Sequence, residues 1–175
     1  AIENAIKYVM ATGGSTNAVI HLTAIAYEAG IDPAWTMDAF DRISDEIPHI
    51  AKINPASNDY DMQDFYFAGG VPRVMEYLKD VLDLDLMTVT GKTLRENIAG
   101  HYYMYGPCND NVIHTLDRPW STLGGIAIMR GNLAPETGVA KPAAIKEEVR
   151  RFTGKAICFD SEEECLQALE ELKIK

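Results

Sequence analysis

The segment that decides the architecture is Ala11-Thr12-Gly13-Gly14-Ser15-Thr16-Asn17-Ala18-Val19-Ile20-His21-Leu22. Apolar residues at helical spacing precede it, and its two glycines end that first helix at about residue 11. Ser15, Thr16 and Asn17 are residue types that begin helices, so a second helix follows at once and runs to Gly30. Because this second helix is apolar on nearly every face, we expect it to be buried on most sides.

The glycine corner, which we define as residues 13–17, has the features of an anion-binding site. Two glycines leave the backbone open to a ligand, and the start of the second helix offers unpaired N–H groups and a partial positive charge. His21 lies one turn into that helix, within reach of the same place. The predicted substrate-cleft residues are therefore Gly13, Gly14, Ser15, Thr16, Asn17 and His21. The alternative is an ordinary helix corner, with a Ser/Thr cap, closely packed glycines and a core histidine.

The rest of the first hundred residues also predicts helices. Thr36 is expected to cap a third helix, which has apolar residues three and four apart. Asp61 or Asp64 begins a short helix, and Pro72 suits the first turn of the next one. Thr90 is expected to cap one further short helix. This part of the chain is therefore predicted to be helical throughout.

The pattern changes after about residue 100. An aromatic stretch with Gly and Pro spans residues 101–107, and β-type runs follow at 112–116, 126–129 and 156–159. A last helix is predicted to begin at Ser161 with a Ser-x-x-Glu capping box. The residues that this helix is expected to bury are Cys165, Leu166, Leu169 and Leu172. The chain is therefore predicted to be strand-rich after about residue 120.

The composition narrows the function classes. The chain has 175 residues, of which 47% are hydrophobic and 24% charged, as is usual for a globular protein. Its formal net charge of −10 argues against binding to nucleic acid or to an anionic membrane. No apolar stretch is long enough to span a bilayer, and none resembles a signal peptide. The chain also opens on an apolar helical pattern, so we expect it to be a piece of a longer protein.

The cysteines and histidines predict no metal site inside the chain. Cys108, Cys158 and Cys165 form no Cys-x-x-Cys pair, and the four histidines do not fall at ligand spacing with one another or with a cysteine. An odd number of scattered cysteines also indicates no disulfide framework, which favours a reducing, cytoplasmic location.

Several short motifs together resemble the dihydroxy-acid and sugar-acid dehydratase family. The first is the segment 11–22, and the others occur in the family's order over essentially the whole chain. They are Asp64 with Ala68-Gly69-Gly70-Val71-Pro72, Thr88-Val89-Thr90-Gly91-Lys92-Thr93-Leu94, Gly124-Gly125-Ile126-Ala127, Gly131-Asn132-Leu133-Ala134-Pro135 with Lys141, and Phe159-Asp160-Ser161-Glu162-Glu163.

The resemblance implies an iron–sulfur, magnesium-assisted hydro-lyase. Such enzymes remove water from a 2,3-dihydroxy acid to give a 2-oxo acid. A base takes the proton at C2, an open iron assists departure of the C3 hydroxyl, and the enol then tautomerises. Members act on the branched dihydroxy acids of amino-acid synthesis or on sugar acids, usually as homodimers.

The resemblance also implies a fold. Family members join an α/β domain to a β-barrel-like domain and place the active site between the two. We therefore expect residues 1–100 to be the helical end of an N-terminal α/β domain and residues 101–120 a linker. Residues 121–175 are expected to begin an incomplete β-barrel-like C-terminal domain.

The departures from the family pattern concern the catalytic groups. The cluster cysteines and magnesium ligands of the family lie before the part that matches, and its Pro-Gly-Met-x-Glu and Asp-Gly-Arg-Phe-Ser-Gly motifs lie beyond it. We therefore predict no catalytic residue and no metal or cofactor site in this chain, and no activity for the chain alone. Branched dihydroxy acids are the expected substrates. The alternatives are a sugar-acid dehydratase, favoured by Lys141-Pro142-Ala143-Ala144, and a truncated module that binds without catalysis.

Overall fold

A computed structural model describes residues 1–54 and 56–171. These residues form seven α-helices and two short strands that pair with each other. The helices are α1 (Ile2–Thr12), α2 (Asn17–Glu28), α3 (Pro33–Glu46), α4 (Met62–Phe67), α5 (Gly70–Tyr77), α6 (Leu94–Ala99) and α7 (Glu162–Glu170), and the strands are β1 (Ala127–Met129) and β2 (Gly138–Ala140). This mixture of helix and strand is consistent with the predicted α/β class. None of these helices is long and apolar enough to cross a membrane.

The core lies where α3 packs against α1 and α2. Ile6 and Met10 of α1 are fully buried, as are Phe40 and Ile43 of α3. The members of each pair are three or four residues apart, so they lie on one face of their helix. The apolar spacing in the sequence therefore identified the buried faces of both helices.

The start of α3 differs from the prediction. Asp32 is the N-cap, and its side chain accepts a hydrogen bond of 2.8 Å from the N–H of Ala34. Thr36 lies inside the helix and is buried. Asp32 followed by Pro33 is the stronger start signal, because proline is preorganised for the first helical position.

The two short helices α4 and α6 both begin at capping boxes. Asp61 and Asp64 form the box of α4, which confirms the predicted start there. Thr93 and Glu96 form the box of α6, so the prediction that Thr90 caps this helix is wrong. The Thr-x-x-Glu spacing explains the correction, because it pairs two N–H groups that otherwise have no partner.

The prediction that α2 is buried on most faces is also wrong. Only Val19 and Ala26 are buried. Ile20 and Ile25 are 68% and 57% exposed. Within the described residues, α1 and α3 are the helices that pack against α2, and they cover only one side of it.

A glycine junction, formed by Gly13, Gly124 and Gly125, joins the part of the chain after residue 120 to α1. The N–H of Gly125 donates to the carbonyl of Met10 at 2.9 Å. A Cβ on Gly125 would lie 2.1 Å from the Cα of Gly13, and one on Gly124 would lie 2.8 Å from the sulfur of Met10. Residue 125 therefore has room for glycine only, and the junction brings residues distant in sequence to the glycine corner.

The two strands form an antiparallel hairpin in which Ile128 lies opposite Val139. Arg130, just after β1, holds this hairpin to α3 through Asp38 and Asp41, both at 2.9 Å. Strand β1 confirms the prediction for residues 126–129, whereas β2 was not predicted.

The strands predicted at 112–116 and 156–159 do not form. Ile113 makes a single bridge to Ala51, and residues 156–159 have no strand pairing in the described part of the chain. A strand needs a neighbour that supplies its backbone hydrogen bonds, and an apolar run by itself does not provide one.

Helix α7 begins where the sequence predicts, but it is not buried. The hydroxyl of Ser161 accepts a hydrogen bond of 3.2 Å from the N–H of Glu164. Cys165 is half-buried, and Leu166 and Leu169 are 51% and 49% exposed, so the predicted burial is wrong for all three. Leu172, also predicted to be buried, lies outside the described residues. The apolar face of α7 has no partner in the described chain that encloses it.

Candidate functional site

The glycine corner turns between α1 and α2 with both glycines at positive φ, 68° for Gly13 and 20° for Gly14. Gly13 is buried, and a Cβ there would lie 2.6 Å from Nε2 of His49. In the glycine junction, Gly125 also packs closely against Gly13. Close packing therefore requires glycine at residue 13, independently of any ligand.

The first turn of α2 already uses several of its N–H groups. The N–H of Asn17 donates to the hydroxyl of Ser15 at 3.2 Å, and that of Ala18 donates to the carbonyl of Ser15 at 2.9 Å. The N–H of Val19 donates to the carbonyl of Thr16 at 3.2 Å. The prediction of unpaired N–H groups is therefore wrong for Asn17, because a tight turn supplies local acceptors.

A cavity of about 280 Å³ lies beside the glycine corner, and Gly14 forms part of its wall. We call it the corner cavity. It is bounded by the end of α1, the loop after α3, the start of α4 and the residue that follows β2. Its polar side chains are Tyr8, Thr12, His49, Asn54 and Lys141. Its larger apolar side chains are Ile53, Met62 and Phe65.

His49 forms the inner wall of the corner cavity and is almost fully buried. Its Nε2 lies 3.0 Å from the carbonyl oxygen of Ala51, which assigns the ring proton to Nε2 in the neutral tautomer. Burial lowers the pKa of His49, and the nearby charge of Lys141 lowers it further. His49 is therefore a neutral, fixed group at neutral pH.

Tyr8 and Thr12 supply hydroxyl groups at the end of α1. Burial raises the pKa of Tyr8 to about 12, so its phenol stays protonated. The hydroxyl of Thr12 donates to the carbonyl of Tyr8 at 2.9 Å, within the helix. Neither side chain therefore brings a negative charge to the corner cavity.

Lys141 places a positive charge at the corner cavity. It follows β2 directly, and its Nζ donates to the carbonyl of Gly14 at 2.6 Å across 127 residues of sequence. The side chain is half-buried, and this burial lowers its pKa. The contact links the hairpin segment to the glycine corner.

The predicted cleft residues are only partly brought together. Gly14 lines the corner cavity, and Gly13 lies behind it in the glycine junction. Ser15, Thr16 and Asn17 are exposed beside it. His21 is exposed on α2 and is not part of the cavity wall. The role of these residues in a cleft stays a prediction.

The sequence did not reveal Tyr8, His49 or Lys141 as members of one site. Lys141 was part of a motif, but nothing in the motif assigned it a partner. No spacing relates Lys141 to His49 or Tyr8, since they come from three segments that meet only in the folded chain. An amphipathic pattern marks Tyr8 merely as a helix residue.

The described residues do not fit an iron–sulfur cluster or a magnesium ion. Within residues 1–54 and 56–171, no three His, Cys, Asp or Glu side chains are grouped as metal ligands. Cys108 and Cys165 are half-buried, Cys158 is exposed, and all three are free thiols. These residues therefore do not by themselves provide a ligand set for either group.

Two domain models of one protein family match this chain. The sequence model for the N-terminal domain of dihydroxy-acid/6-phosphogluconate dehydratases matches residues 1–97, and that for the C-terminal domain matches residues 111–175. The chain belongs to this family. The resemblance predicted from the motifs is therefore confirmed.

Relatives in this dehydratase family align with nearly the whole chain. A dihydroxy-acid dehydratase of Ignicoccus hospitalis is 44% identical over 171 residues, which is 97% of this chain and 30% of the relative. Dihydroxy-acid dehydratases of Ruminiclostridium cellulolyticum and Sulfurisphaera tokodaii are each 45% identical, over 97% and 100% of this chain. The chain thus spans about 30% of the length of the relatives it matches.

Proposed function

We propose that the whole protein, meaning the full-length protein that carries this chain, is a hydro-lyase acting on 2,3-dihydroxy acids. The observation that carries this proposal is the 44–45% identity, over nearly the entire chain, to proteins named dihydroxy-acid dehydratase. In the reaction a proton leaves C2, the C3 hydroxyl leaves as water, and an enol forms. The enol then takes a proton at C3 and loses its hydroxyl proton at C2 to become the 2-oxo acid, so the sum is loss of one water.

We infer that the groups that move protons at C2 and C3 lie outside this chain. The same holds for the iron–sulfur cluster and magnesium ion that the family resemblance implies, because the described residues do not fit them. The chain alone is proposed to bind no cluster and to be inactive. Its contribution is to shape and orient the substrate site.

The glycine corner is proposed to face that site. Its exposed side, with Ser15 and Thr16, lies beside the corner cavity. If these side chains position substrate, Ser15→Ala or Thr16→Ala lowers turnover of the whole protein by one or more orders of magnitude. If Ser15 only supports the helix start, Ser15→Ala costs about 1 kcal/mol of stability and leaves the kinetics unchanged, and Thr16→Ala costs less because the Thr16 side chain makes no cap hydrogen bond. That second result would make the corner structural.

The domain organisation, oligomeric state and partners of the whole protein are also proposed. We propose that residues 1–100 end an α/β domain, that 101–120 link it to the next, and that 121–175 begin a β-barrel-like domain. The whole protein is proposed to be a cytoplasmic homodimer whose partner molecule is a small dihydroxy acid, with no nucleic acid or membrane partner.

The substrates are proposed to be branched dihydroxy acids of amino-acid synthesis. The second candidate is a sugar acid, which Lys141-Pro142 favours by its resemblance to sugar-acid dehydratases. The test is an assay of the whole protein for 2-oxo acid formation from 2,3-dihydroxy-3-methylbutanoate and from a panel of aldonic acids. Turnover of aldonic acids alone would replace the first candidate with the second. Absence of turnover on every acid, in protein that carries its full cluster, would favour a binding module without catalysis.

A further inference from the structure

The corner cavity has one formally charged side chain among the described residues that line it, and that side chain is Lys141. The other polar groups are neutral, since burial keeps His49 unprotonated and Tyr8 protonated. A volume of about 280 Å³ is at the lower end for ligand pockets, which suits a small molecule rather than a nucleotide. The cavity is therefore small and positive in character.

The charge of Lys141 is not neutralised by the described part of the chain. No Asp or Glu of these residues lies within 4.0 Å of its ammonium group. Its one hydrogen bond goes to the neutral carbonyl of Gly14. An ammonium group has three protons, so two remain for another acceptor. A half-buried cation is costly unless an anion accompanies it, and this points to an anionic ligand.

The apolar part of the cavity wall suits the aliphatic body of a ligand. Ile53, Met62 and Phe65 are apolar and have no group that pairs with a ligand hydroxyl. A second cavity, of about 560 Å³, is also lined in part by His49 and differs in its charges. It is lined by charges of both signs, among them Asp45 and Lys52, and so it does not select an anion.

We propose that Lys141 binds the carboxylate of the substrate in the corner cavity, with Gly14 holding the ammonium group in place. This assignment rests on the proposed function, because it takes the substrate to be a hydroxy acid. The carboxylate accepts hydrogen bonds from the two remaining protons of Nζ, and the aliphatic part of the acid lies against Ile53, Met62 and Phe65. Lys141 is thus a binding residue supplied by the segment after β2.

The test compares an acid with its uncharged amide in the whole protein. The probes are 2-hydroxy-3-methylbutanoate, which has no C3 hydroxyl to lose, and its primary amide, with affinities measured by titration calorimetry. The wild type is expected to bind the acid about 10- to 100-fold more tightly than the amide, as a charged hydrogen-bonded pair provides. Lys141→Met is expected to abolish this preference by weakening the acid alone.

Two further variants separate charge from structure. Lys141→Gln removes the charge but keeps an N–H donor for the Gly14 carbonyl, so it provides the same comparison if Lys141→Met does not fold. Lys146→Met is the matched control, because Lys146 is an exposed lysine five residues away that does not line the corner cavity. It should leave the preference for the acid unchanged. With substrate, the Lys141 variants should raise KM by a similar factor and change kcat less.

Three outcomes would overturn the assignment. One is a wild type that binds acid and amide equally, and another is a Lys141 variant that keeps the preference. The third is equal weakening of acid and amide, which would make Lys141 a structural clamp only. These outcomes are separate from failure of the proposed function. Binding that depends on Lys141, without turnover of any acid in protein that carries its full cluster, would refute the hydro-lyase. Turnover with binding that does not depend on Lys141 would refute this assignment alone.

Discussion

Helices α3 and α7 carry similar local signals and have different environments. Each begins with a side chain that accepts a hydrogen bond from the first turn, Asp32 in α3 and Ser161 in α7. Each has apolar residues three or four positions apart. Yet Phe40 and Ile43 of α3 are fully buried, whereas Leu166 and Leu169 of α7 are about half exposed.

The difference shows which property each signal specifies. A cap and an apolar repeat specify a helix and the face it prefers to bury. They do not specify what covers that face. Helix α3 is covered by α1, α2 and the hairpin strand β1, while no residue of α7 is buried in the described chain.

The largest effect should come from truncating the apolar face of α3, and the same kind of change on α7 is its control. Phe40→Ala removes a fully buried ring and should lower the free energy of unfolding by about 3 to 5 kcal/mol. Leu169→Ala on α7 should change it by no more than about 0.5 kcal/mol. Urea-induced unfolding followed by circular dichroism measures both. Similar losses for the two variants would show that α7 is packed in solution and would break the comparison.

The glycine junction that holds β1 against α1 should be nearly as sensitive. A Cβ at Gly125 would lie 2.1 Å from the backbone of Gly13. Rotation of a side chain cannot relieve a clash with backbone, so Gly125→Ala should lower the free energy of unfolding by about 3 kcal/mol. Gly131→Ala is the control, because a Cβ there meets nothing within 4 Å. Thermal melting of both variants provides the test. An unchanged melting temperature for Gly125→Ala would mean that the junction is not as close as described.

Removing the N-cap side chains of α3 and α7 should have different effects on the two helices. Asp32→Ala should lower the free energy of unfolding by about 1 kcal/mol, because α3 belongs to the core. Ser161→Ala should reduce the helix content of α7 and leave the unfolding midpoint unchanged, since an unburied helix frays locally. Hydrogen exchange and thermal melting, measured on the same variants, separate a loss of global stability from local fraying of α7. Equal shifts of the midpoint would show that α7 unfolds together with the core.

The smallest effect concerns pH, through His49 beside the core. Burial lowers its pKa in the folded state below the ordinary value of 6.5, so the unfolded chain binds more protons as the pH falls below that value. Its contribution to stability is therefore full above about pH 7 and is lost as the pH falls. His49→Gln should reduce the slope of stability against pH between 7 and 5. A slope equal to that of the wild type would show that His49 binds its proton equally well in the folded and the unfolded chain.

The sequence by itself determined several helix and turn positions and the family. The cap at Asp61, the helix start at Ser161 and the turn at Gly30 follow from hydrogen bonds and backbone angles within a few residues, so local patterns predict them. The ordered motifs predicted the family in the same way, because each motif is a contiguous stretch. The glycine corner was predicted as a candidate site because residues 13–17 are also a contiguous stretch.

Only the tertiary structure decided what surrounds those elements. It showed that Gly13 is required for packing against His49 and Gly125, and that α2 and α7 leave apolar faces open. It also joined Lys141 to Gly14, across 127 residues. The physical reason is the same in each case: burial, steric fit and the neutralisation of charge depend on neighbours in space, and residues distant in sequence supply those neighbours.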